Sequence, residues 1–164
     1  DYIVSKVNIL KAGEKAPDFS AIDQNEKTIT LSEFSGKKVV LYFYPKDNTP
    51  GCTVQACNLR DHSSELTKRG IQVIGVSADS ASKHQKFIAK FSLPFPLIAD
   101  ESHEVLNKYG VWGEKKFMGK VYDGIHRTTF IINEQGIIDA VILKPKTKYH
   151  SEEILEILDN PSKS

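Results

Sequence analysis

Apolar residues along the chain form short continuous runs separated by longer, mostly polar segments. Residues 39–43 and 71–76 are β-prone apolar runs, which indicate strands buried on both faces. A helix is predicted after each run, over about 50–68 and 79–91, the second with Phe87, Ile88 and Phe91 at helical spacing. This alternation is typical of an α/β protein with one central sheet.

The remaining pattern predicts smaller elements around this centre. Gly110 is expected to end a helix over 100–109, and Ser151 to cap a last helix whose core face carries Ile154, Leu155 and Leu158. Short strands are expected at 18–22 and 27–31, a loop rich in Gly and Lys at 112–124, and a hairpin of strands 128–132 and 137–143. Together the elements predict an α/β sandwich, with a central mixed β-sheet flanked by helices, in a single domain spanning 1–164.

Composition and charge narrow the range of possible functions more than they narrow the range of possible folds. The chain has 22 basic and 21 acidic residues, a net charge of +1 and no long block of like charge, so we expect neither a nucleic-acid nor a membrane partner. No apolar stretch approaches the roughly 18 residues of a membrane span, and the first six residues lack signal-peptide features. Two cysteines are too few for a secreted disulfide scaffold, which favours a reducing compartment.

The most informative stretch, residues 43–57, leaves a buried strand and enters a helix, where α/β proteins commonly place their sites. Thr49 suits the N-cap and Pro50 the first helical position, which puts Cys52 in the first turn. The unpaired N–H groups and positive end of a helix make a thiol more acidic, and the thiolate is the nucleophile. The alternative is that Cys52 is a small buried hydrophobe.

Cys57 follows five residues later in the same predicted helix. In an ideal helix the two Cα atoms would be about 8.7 Å apart, whereas a disulfide needs less than about 7 Å. The pair can therefore bond only if the helix unwinds locally. Spacing alone is equally consistent with Cys57 being a packed core cysteine.

The cysteine pair has two other possible uses, as metal ligands or in disulfide exchange. An iron–sulfur cluster needs four cysteines, and the chain has two. A zinc site would need histidine ligands as well, but the histidines are not closely spaced in the sequence: His62, His84, His103, His126 and His150. No metal is therefore expected. A thiol–disulfide oxidoreductase usually has two residues between its cysteines, but here there are four. A non-catalytic binding module remains as a third possibility.

Several motifs give the chain a specific resemblance. Pro45, Thr49 and Cys52 match the motif Pro-x-x-x-Thr-x-x-Cys, and Cys57 matches a second cysteine five residues on. Further matching tracts lie at 16–19, 109–119 and 122–130. Over residues 12–158 the sequence resembles the peroxiredoxin superfamily, and within it most resembles the peroxiredoxin Q branch, also called bacterioferritin comigratory protein.

The resemblance implies a thioredoxin-like fold and reduction of hydrogen peroxide or organic hydroperoxides without metal or organic cofactor. It implies that Cys52 is the peroxidatic cysteine and Cys57 the resolving cysteine, joined in an intramolecular disulfide. Thr49 would orient the peroxide, Arg127 would favour the thiolate and polarise the peroxide, and Pro45 would shield the sulfur.

The resemblance also implies recycling by thioredoxin or a similar dithiol, a monomer, and a role in antioxidant defence. The reducing compartment that the cysteine count favours is expected to be the cytoplasm. One position departs from the branch. Where a carboxylate is common, this chain has Gln55, whose amide can accept a hydrogen bond from an arginine but carries no charge. The resemblance therefore does not specify how Arg127 is held.

Overall fold

A five-stranded mixed sheet forms the centre of the protein, as described by a computed structural model for residues 7–160. The first six residues, on which the expectation about a signal peptide depends, lie outside this range. The strands are β1 (Ser20–Ile22), β2 (Thr28–Thr30), β3 (Lys38–Phe43), β4 (Ile71–Ser77), β5 (Leu97–Ala99), β6 (Trp112–Phe117), β7 (Lys120–Ile125), β8 (Thr128–Ile132) and β9 (Ile138–Ile142). The α-helices are α1 (Pro50–Asp61), α2 (Ser63–Lys68), α3 (Ala81–Phe91), α4 (Glu104–Lys108) and α5 (His150–Asp159).

The order of strands in the central sheet is β5-β4-β3-β8-β9. The first three are parallel, whereas β8 pairs antiparallel with β3 and β9 antiparallel with β8. β3 therefore lies in the middle, with its C-terminal end beside the start of β8. The predicted mixed sheet is confirmed, and its central strand is the one that leads into α1.

Both faces of the sheet are covered, which explains the continuous apolar runs. Along β3, Leu41 and Phe43 pack into one core cluster, and Val40 and Tyr42 into the other. The second cluster includes side chains from α1, α2, α3 and α5: Leu59, Leu66, Phe87 and Ile154. The first includes Leu106 and residues around α4. A strand buried on both sides has no polar face, so it reads as an unbroken apolar segment.

Several predicted boundaries were wrong, and two strands were missed at 112–124. That segment is a hairpin rather than a loop, with Met118 and Gly119 both at positive φ (51° and 80°) in a two-residue turn. Its outer residues are largely exposed, so the strands lack the apolar pattern that identifies buried ones. β5, with only three residues, was also missed.

The helices differ from expectation at their ends. The segment predicted as one helix over 50–68 is two, because His62 leaves helical geometry (φ −107°, ψ 12°). α4 is shorter than predicted because His103 adopts positive φ (68°) just before it, although Gly110 follows its end at φ 73° as expected. Ser151 does not cap α5. It is the second residue of that helix, and its hydroxyl donates to the Asn58 carbonyl.

No α-helix in the described part of the chain is long and apolar enough to cross a membrane.

Candidate active site

Cys52 lies in the first turn of α1, shortly after the C-terminal end of the central strand. Thr49 is the N-cap in extended backbone (φ −95°, ψ 158°) and Pro50 is the first helical residue, which confirms the predicted helix start. Cys52 is buried, with only 2% of its surface exposed. Because the first N–H groups of a helix have no acceptor within the helix, this position favours an anion.

The Thr49 hydroxyl does not cap the helix. It donates instead to the carbonyl of Lys46 at 2.9 Å, within the loop that connects β3 to α1. Pro45 begins this loop and, like Thr49, is half-buried. The structure therefore gathers Pro45, Thr49 and Cys52 in one short segment, in the order that the motif requires.

Arg127 reaches the same place from a distant part of the sequence. It precedes β8, whose antiparallel pairing with β3 sets Thr128 opposite Phe43. Its Nη2 donates to Cys52 Sγ at 3.3 Å, and its Nη1 donates to Gln55 Oε1 at 2.5 Å. The planar guanidinium thus holds two acceptors that lie one turn apart on a single helix.

Two neighbouring residues shape the contact with this arginine. A β-carbon at Gly51 would lie 3.3 Å from Arg127 Nη2, which is tighter than ordinary contact, so glycine permits the close approach. Gln55 is fully buried, and its Nε2 has no hydrogen-bond partner among the described residues. The expectation that the Gln55 amide can accept from Arg127 is confirmed. Of the two atoms that accept from Arg127, Cys52 Sγ and Gln55 Oε1, only the sulfur can carry a negative charge.

Cys57 is half-buried on α1, and neither cysteine is in a disulfide. α1 is continuous from Pro50 to Asp61. Regular helix geometry therefore keeps the two Cα atoms about 8.7 Å apart, too far for a bond. This is the geometry expected of a reduced site whose helix must open before the sulfurs can meet.

Lys115 is a second cation near the sulfur that the sequence reasoning missed. Burial lowers the pKa of Lys115, the charge of Arg127 lowers it further, and the charge of Cys52 acts in the opposite direction. Its Nζ donates to the Ile125 carbonyl at 2.9 Å, which holds it against the hairpin of β6 and β7. The strands of this hairpin carry no apolar pattern, so no sequence signal places Lys115 at the site.

Tyr42 lies beneath the site on the central strand. Burial raises its pKa well above the ordinary value, and the charges of Cys52 and Asp47 raise it further. Tyr42 is therefore a neutral phenol, and its hydroxyl has no hydrogen-bond partner within residues 7–160. Its ring stacks on that of Tyr44, with centroids 5.3 Å apart.

Behind the loop is a buried polar cluster that the sequence reasoning also missed. Asp47, Asp79 and His84 bring possible metal-ligating atoms within 4.8 Å of one another. These atoms already hydrogen-bond within the cluster: Asp47 Oδ2 lies 2.6 Å from His84 Nδ1, and Asp79 Oδ2 accepts from the Asp47 N–H at 2.8 Å. The arrangement therefore serves to hold the loop. The available signal was the position of His84 between Ala81 and Phe87 on the buried face of α3.

Comparison with known proteins agrees with this geometry. The AhpC/TSA family model matches residues 12–141. Peroxiredoxin Bcp of Escherichia coli is 50% identical over 152 residues, which cover 93% of this chain and 97% of that protein. Peroxiredoxin Bcp of Bacillus subtilis is 43% identical over 153 residues, which cover 93% and 98%.

Solved structures give the same result for the fold. A mutant of Xylella fastidiosa PrxQ superposes with a TM-score of 0.88 at 29% identity, covering 94% of this chain and 99% of that one. Xanthomonas campestris bacterioferritin comigratory protein, a structure concerned with alkyl peroxide reduction, gives 0.84 at 32% identity, covering 90% and 97%. The thioredoxin-like fold implied by the sequence resemblance is confirmed.

The site is thus a buried cysteine at a helix start, contacted by an arginine that precedes the neighbouring strand. The chain belongs to the AhpC/TSA family and is a thiol peroxidase. Within that family it groups with the Bcp, or PrxQ, peroxiredoxins, as the sequence resemblance predicted. Peroxiredoxins act on hydroperoxides and depend on thiol reductants.

Proposed function

We propose that Cys52 is the peroxidatic cysteine, and that the enzyme reduces hydrogen peroxide and organic hydroperoxides. The thiolate attacks one peroxide oxygen in line, the O–O bond breaks, and the leaving oxygen takes a proton and departs as water or an alcohol. Cys52 becomes a sulfenic acid. The observation that carries this assignment is the Arg127 guanidinium, 3.3 Å from the sulfur at the helix start.

The other site residues have supporting roles in this step. Arg127 favours the thiolate and meets the charge that develops on the leaving oxygen, a form of transition-state stabilisation by a preorganised donor. Thr49 orients the peroxide, and Pro45 limits access of water to the sulfur. Similarity to the Xanthomonas protein, whose structure concerns alkyl peroxide reduction, supports organic hydroperoxides as substrates.

In the second step, Cys57 is the resolving cysteine. After α1 opens, the Cys57 thiolate attacks the Cys52 sulfenic sulfur, an S–S bond forms as the S–O bond breaks, and the hydroxyl group takes a proton from solvent and leaves as water. Thioredoxin, or a similar dithiol, then supplies two electrons and two protons and is itself oxidised to a disulfide. We further propose a single domain over 1–164 that acts as a monomer in the cytoplasm, within antioxidant defence.

The test is a coupled assay that follows peroxide-dependent oxidation of NADPH in the presence of thioredoxin and thioredoxin reductase. Wild type should turn over continuously, and Cys52→Ser should show no turnover because the nucleophile is absent. Cys57→Ser should consume about one equivalent of peroxide per chain without thioredoxin and then stop. The two serine variants control for each other, because each removes one thiol from the same helix.

Two results would contradict the proposal. Normal thioredoxin-dependent turnover by Cys57→Ser would make Cys57 a structural residue and the enzyme a one-cysteine type. A wild-type protein that is inert toward several peroxides but exchanges disulfides would instead be a thiol–disulfide oxidoreductase.

A further inference from the structure

We propose that Asp47 and Asn58 are positioning residues that fix the two ends of the opening segment, so that unwinding is confined to residues 48–57. The inference rests on the proposed disulfide between Cys52 and Cys57. Each residue stands just outside the segment that contains both cysteines, and each is attached to parts of the protein that do not belong to α1.

The attachment before the segment is made by Asp47, which is buried. Its Oδ1 accepts from the Tyr44 hydroxyl at 2.6 Å, and its Oδ2 lies 2.6 Å from His84 Nδ1. Its backbone N–H donates to Asp79 Oδ2 at 2.8 Å. Both carboxylate oxygens and the backbone N–H of Asp47 are therefore hydrogen-bonded in the folded protein.

The partners of Asp47 are themselves fixed. His84 is fully buried on α3, and its Nε2 donates to the Ile98 carbonyl of β5 at 2.8 Å. Asp79 Oδ2 also accepts from the Ser77 hydroxyl at the end of β4, at 2.8 Å. All of these groups belong to the sheet, α3 or their connections. Opening of α1 therefore breaks none of the hydrogen bonds that hold Asp47.

The attachment after the segment is made by Asn58, the residue that follows Cys57. Its Oδ1 accepts from the Ser151 N–H at 2.7 Å, and its Nδ2 donates to the Lys148 carbonyl at 2.9 Å and to Glu152 Oε1 at 3.2 Å. Its own carbonyl accepts from the Ser151 hydroxyl at 3.2 Å. Asn58 is thus joined to the start of α5, which is held in turn by the buried Ile154.

Between these points, one of the side-chain attachments depends on the state of the sulfur. Arg127 holds Cys52 and Gln55, and Lys90 makes one long contact of 3.5 Å to Asn48. Conversion of the Cys52 thiolate to a sulfenic acid removes the negative charge that faces the guanidinium. The first turns of α1 therefore lose a charge-assisted contact at the moment when opening is required, whereas the two outer attachments are unaffected.

The segment is long enough to act in this way. Its helical part, residues 50–57, rises only about 12 Å in an α-helix but spans about 26 Å when extended. Unwinding of these eight residues therefore releases enough chain for the two sulfurs to meet while both ends stay in place. Fixed ends also limit the exposure of Leu59, which is fully buried one residue beyond Asn58.

Amide hydrogen exchange, resolved by NMR, tests the inference on the wild-type protein. The oxidised sample is prepared with diamide, so that disulfide formation does not depend on peroxidase activity. The Ser151 N–H donates to Asn58 and has no acceptor in its own helix, and the Asp47 N–H donates to Asp79, so each reports one attachment. The Thr53 N–H, which donates to the Thr49 carbonyl at 2.8 Å, reports the segment itself.

On oxidation we expect Thr53 to lose at least about tenfold in protection, while Asp47 and Ser151 keep theirs. Loss of protection at Asp47 or Ser151 in the oxidised protein would overturn the inference. If diamide joins the cysteines but peroxide does not, the proposed function fails and the exchange result still decides the inference. If diamide cannot join them at all, both fail.

A matched pair of variants gives a second test. Asn58→Ala removes the attachment, and Asn107→Ala removes an exposed asparagine on α4. In the oxidised Asn58→Ala protein we expect the unwinding to spread past residue 58, so that the His62 N–H, which donates to the carbonyl of residue 58, loses protection. In oxidised wild type and oxidised Asn107→Ala the same N–H should keep its protection. Equal protection of His62 in all three oxidised proteins would show that Asn58 does not confine the unwinding.

Discussion

The two halves of α1 are held to the protein by different kinds of interaction. The first half, with Cys52 and Gln55, is held by the guanidinium of Arg127, and one of these two contacts is to the sulfur whose charge changes in the proposed reaction. The second half is attached through Asn58 by hydrogen bonds that no step of the proposed reaction alters. The difference teaches that one helix can combine a releasable part with a fixed part.

The largest effect should come from breaking the releasable contact at Arg127. Arg127→Lys keeps the positive charge but cannot reach both acceptors in the fixed fork geometry. We expect the second-order rate constant for peroxide to fall by about 10²-fold, the cost typical of losing one preorganised donor. Stopped-flow measurement on the reduced protein checks this.

The matched control is Arg69→Lys, because Arg69 follows α2 and pairs with Asp159 at the end of α5 rather than with a residue of the site. It should leave the rate constant unchanged. A rate for Arg127→Lys within about twofold of wild type would mean that a single positive charge suffices and that the two-acceptor geometry has no catalytic role.

A smaller effect should follow from Lys115, which acts on the same half of the helix from a distance. Lys115→Met should lower the peroxide rate constant about two- to fivefold, the size expected of an interaction between partly solvated charges. The adjacent, exposed Lys116 provides the control, and Lys116→Met should behave as wild type.

The pH dependence sharpens this prediction. Because burial and Arg127 lower the pKa of Lys115, this lysine loses its charge at a lower pH than an exposed lysine does. The ratio of wild-type to Lys115→Met rate constants should therefore approach one as the pH rises into the alkaline range. A ratio that stays constant with pH would show that Lys115 acts through packing rather than charge.

Gln55→Glu should strengthen the attachment of the first half of α1 to Arg127. A carboxylate forms an ion pair with the Arg127 guanidinium, which is stronger than the present bond from the same guanidinium to a neutral amide oxygen. We expect the helix to open more slowly, so that a larger fraction of Cys52 is over-oxidised to sulfinic acid in each turnover, about threefold by intact-protein mass spectrometry. Gln135→Glu, in an exposed turn, is the control, and equal over-oxidation in both variants would contradict the account.

The smallest expected effect is on the free energy of unfolding, and it involves His126, which precedes Arg127 in the sequence. Burial lowers the pKa of His126, so the folded protein favours the neutral ring more than the unfolded chain does. The contribution of His126 to the free energy of unfolding is therefore complete above the pKa of the unfolded chain, about 6.5. It is lost as the pH falls from there towards the lowered pKa of His126 in the folded protein. Urea unfolding of wild type should show this loss, and His126→Gln should show a flatter dependence on pH.

The sequence was informative where structure is encoded locally. The residues from Thr49 to Cys52 specify a helix start by themselves, through an N-cap residue and a proline at the first position. The apolar runs of β3 and β4 were recognisable because both faces of these strands are buried. Arg127 could be assigned to the site only through resemblance, because strand pairing brings it there.

Other features could not be predicted because they depend on contacts between distant residues. Asp47 and His84 are separated by 37 positions, and Asn58 and Ser151 by 93, so no local pattern links them. The β6–β7 hairpin has no apolar face to mark its strands, and β5 is too short to stand out. The residues around Cys52 could therefore be singled out from the sequence, whereas the groups that hold the loop and the helix could not.

The most direct test of the central claim is peptide mapping by mass spectrometry after one equivalent of peroxide is added to the reduced protein. The account predicts that the chain loses two hydrogen atoms and that Cys52 and Cys57 are recovered in one intramolecular disulfide, which dithiol reductants reverse. Two intact thiols after the peroxide has been consumed, or a disulfide only between separate chains, would contradict it.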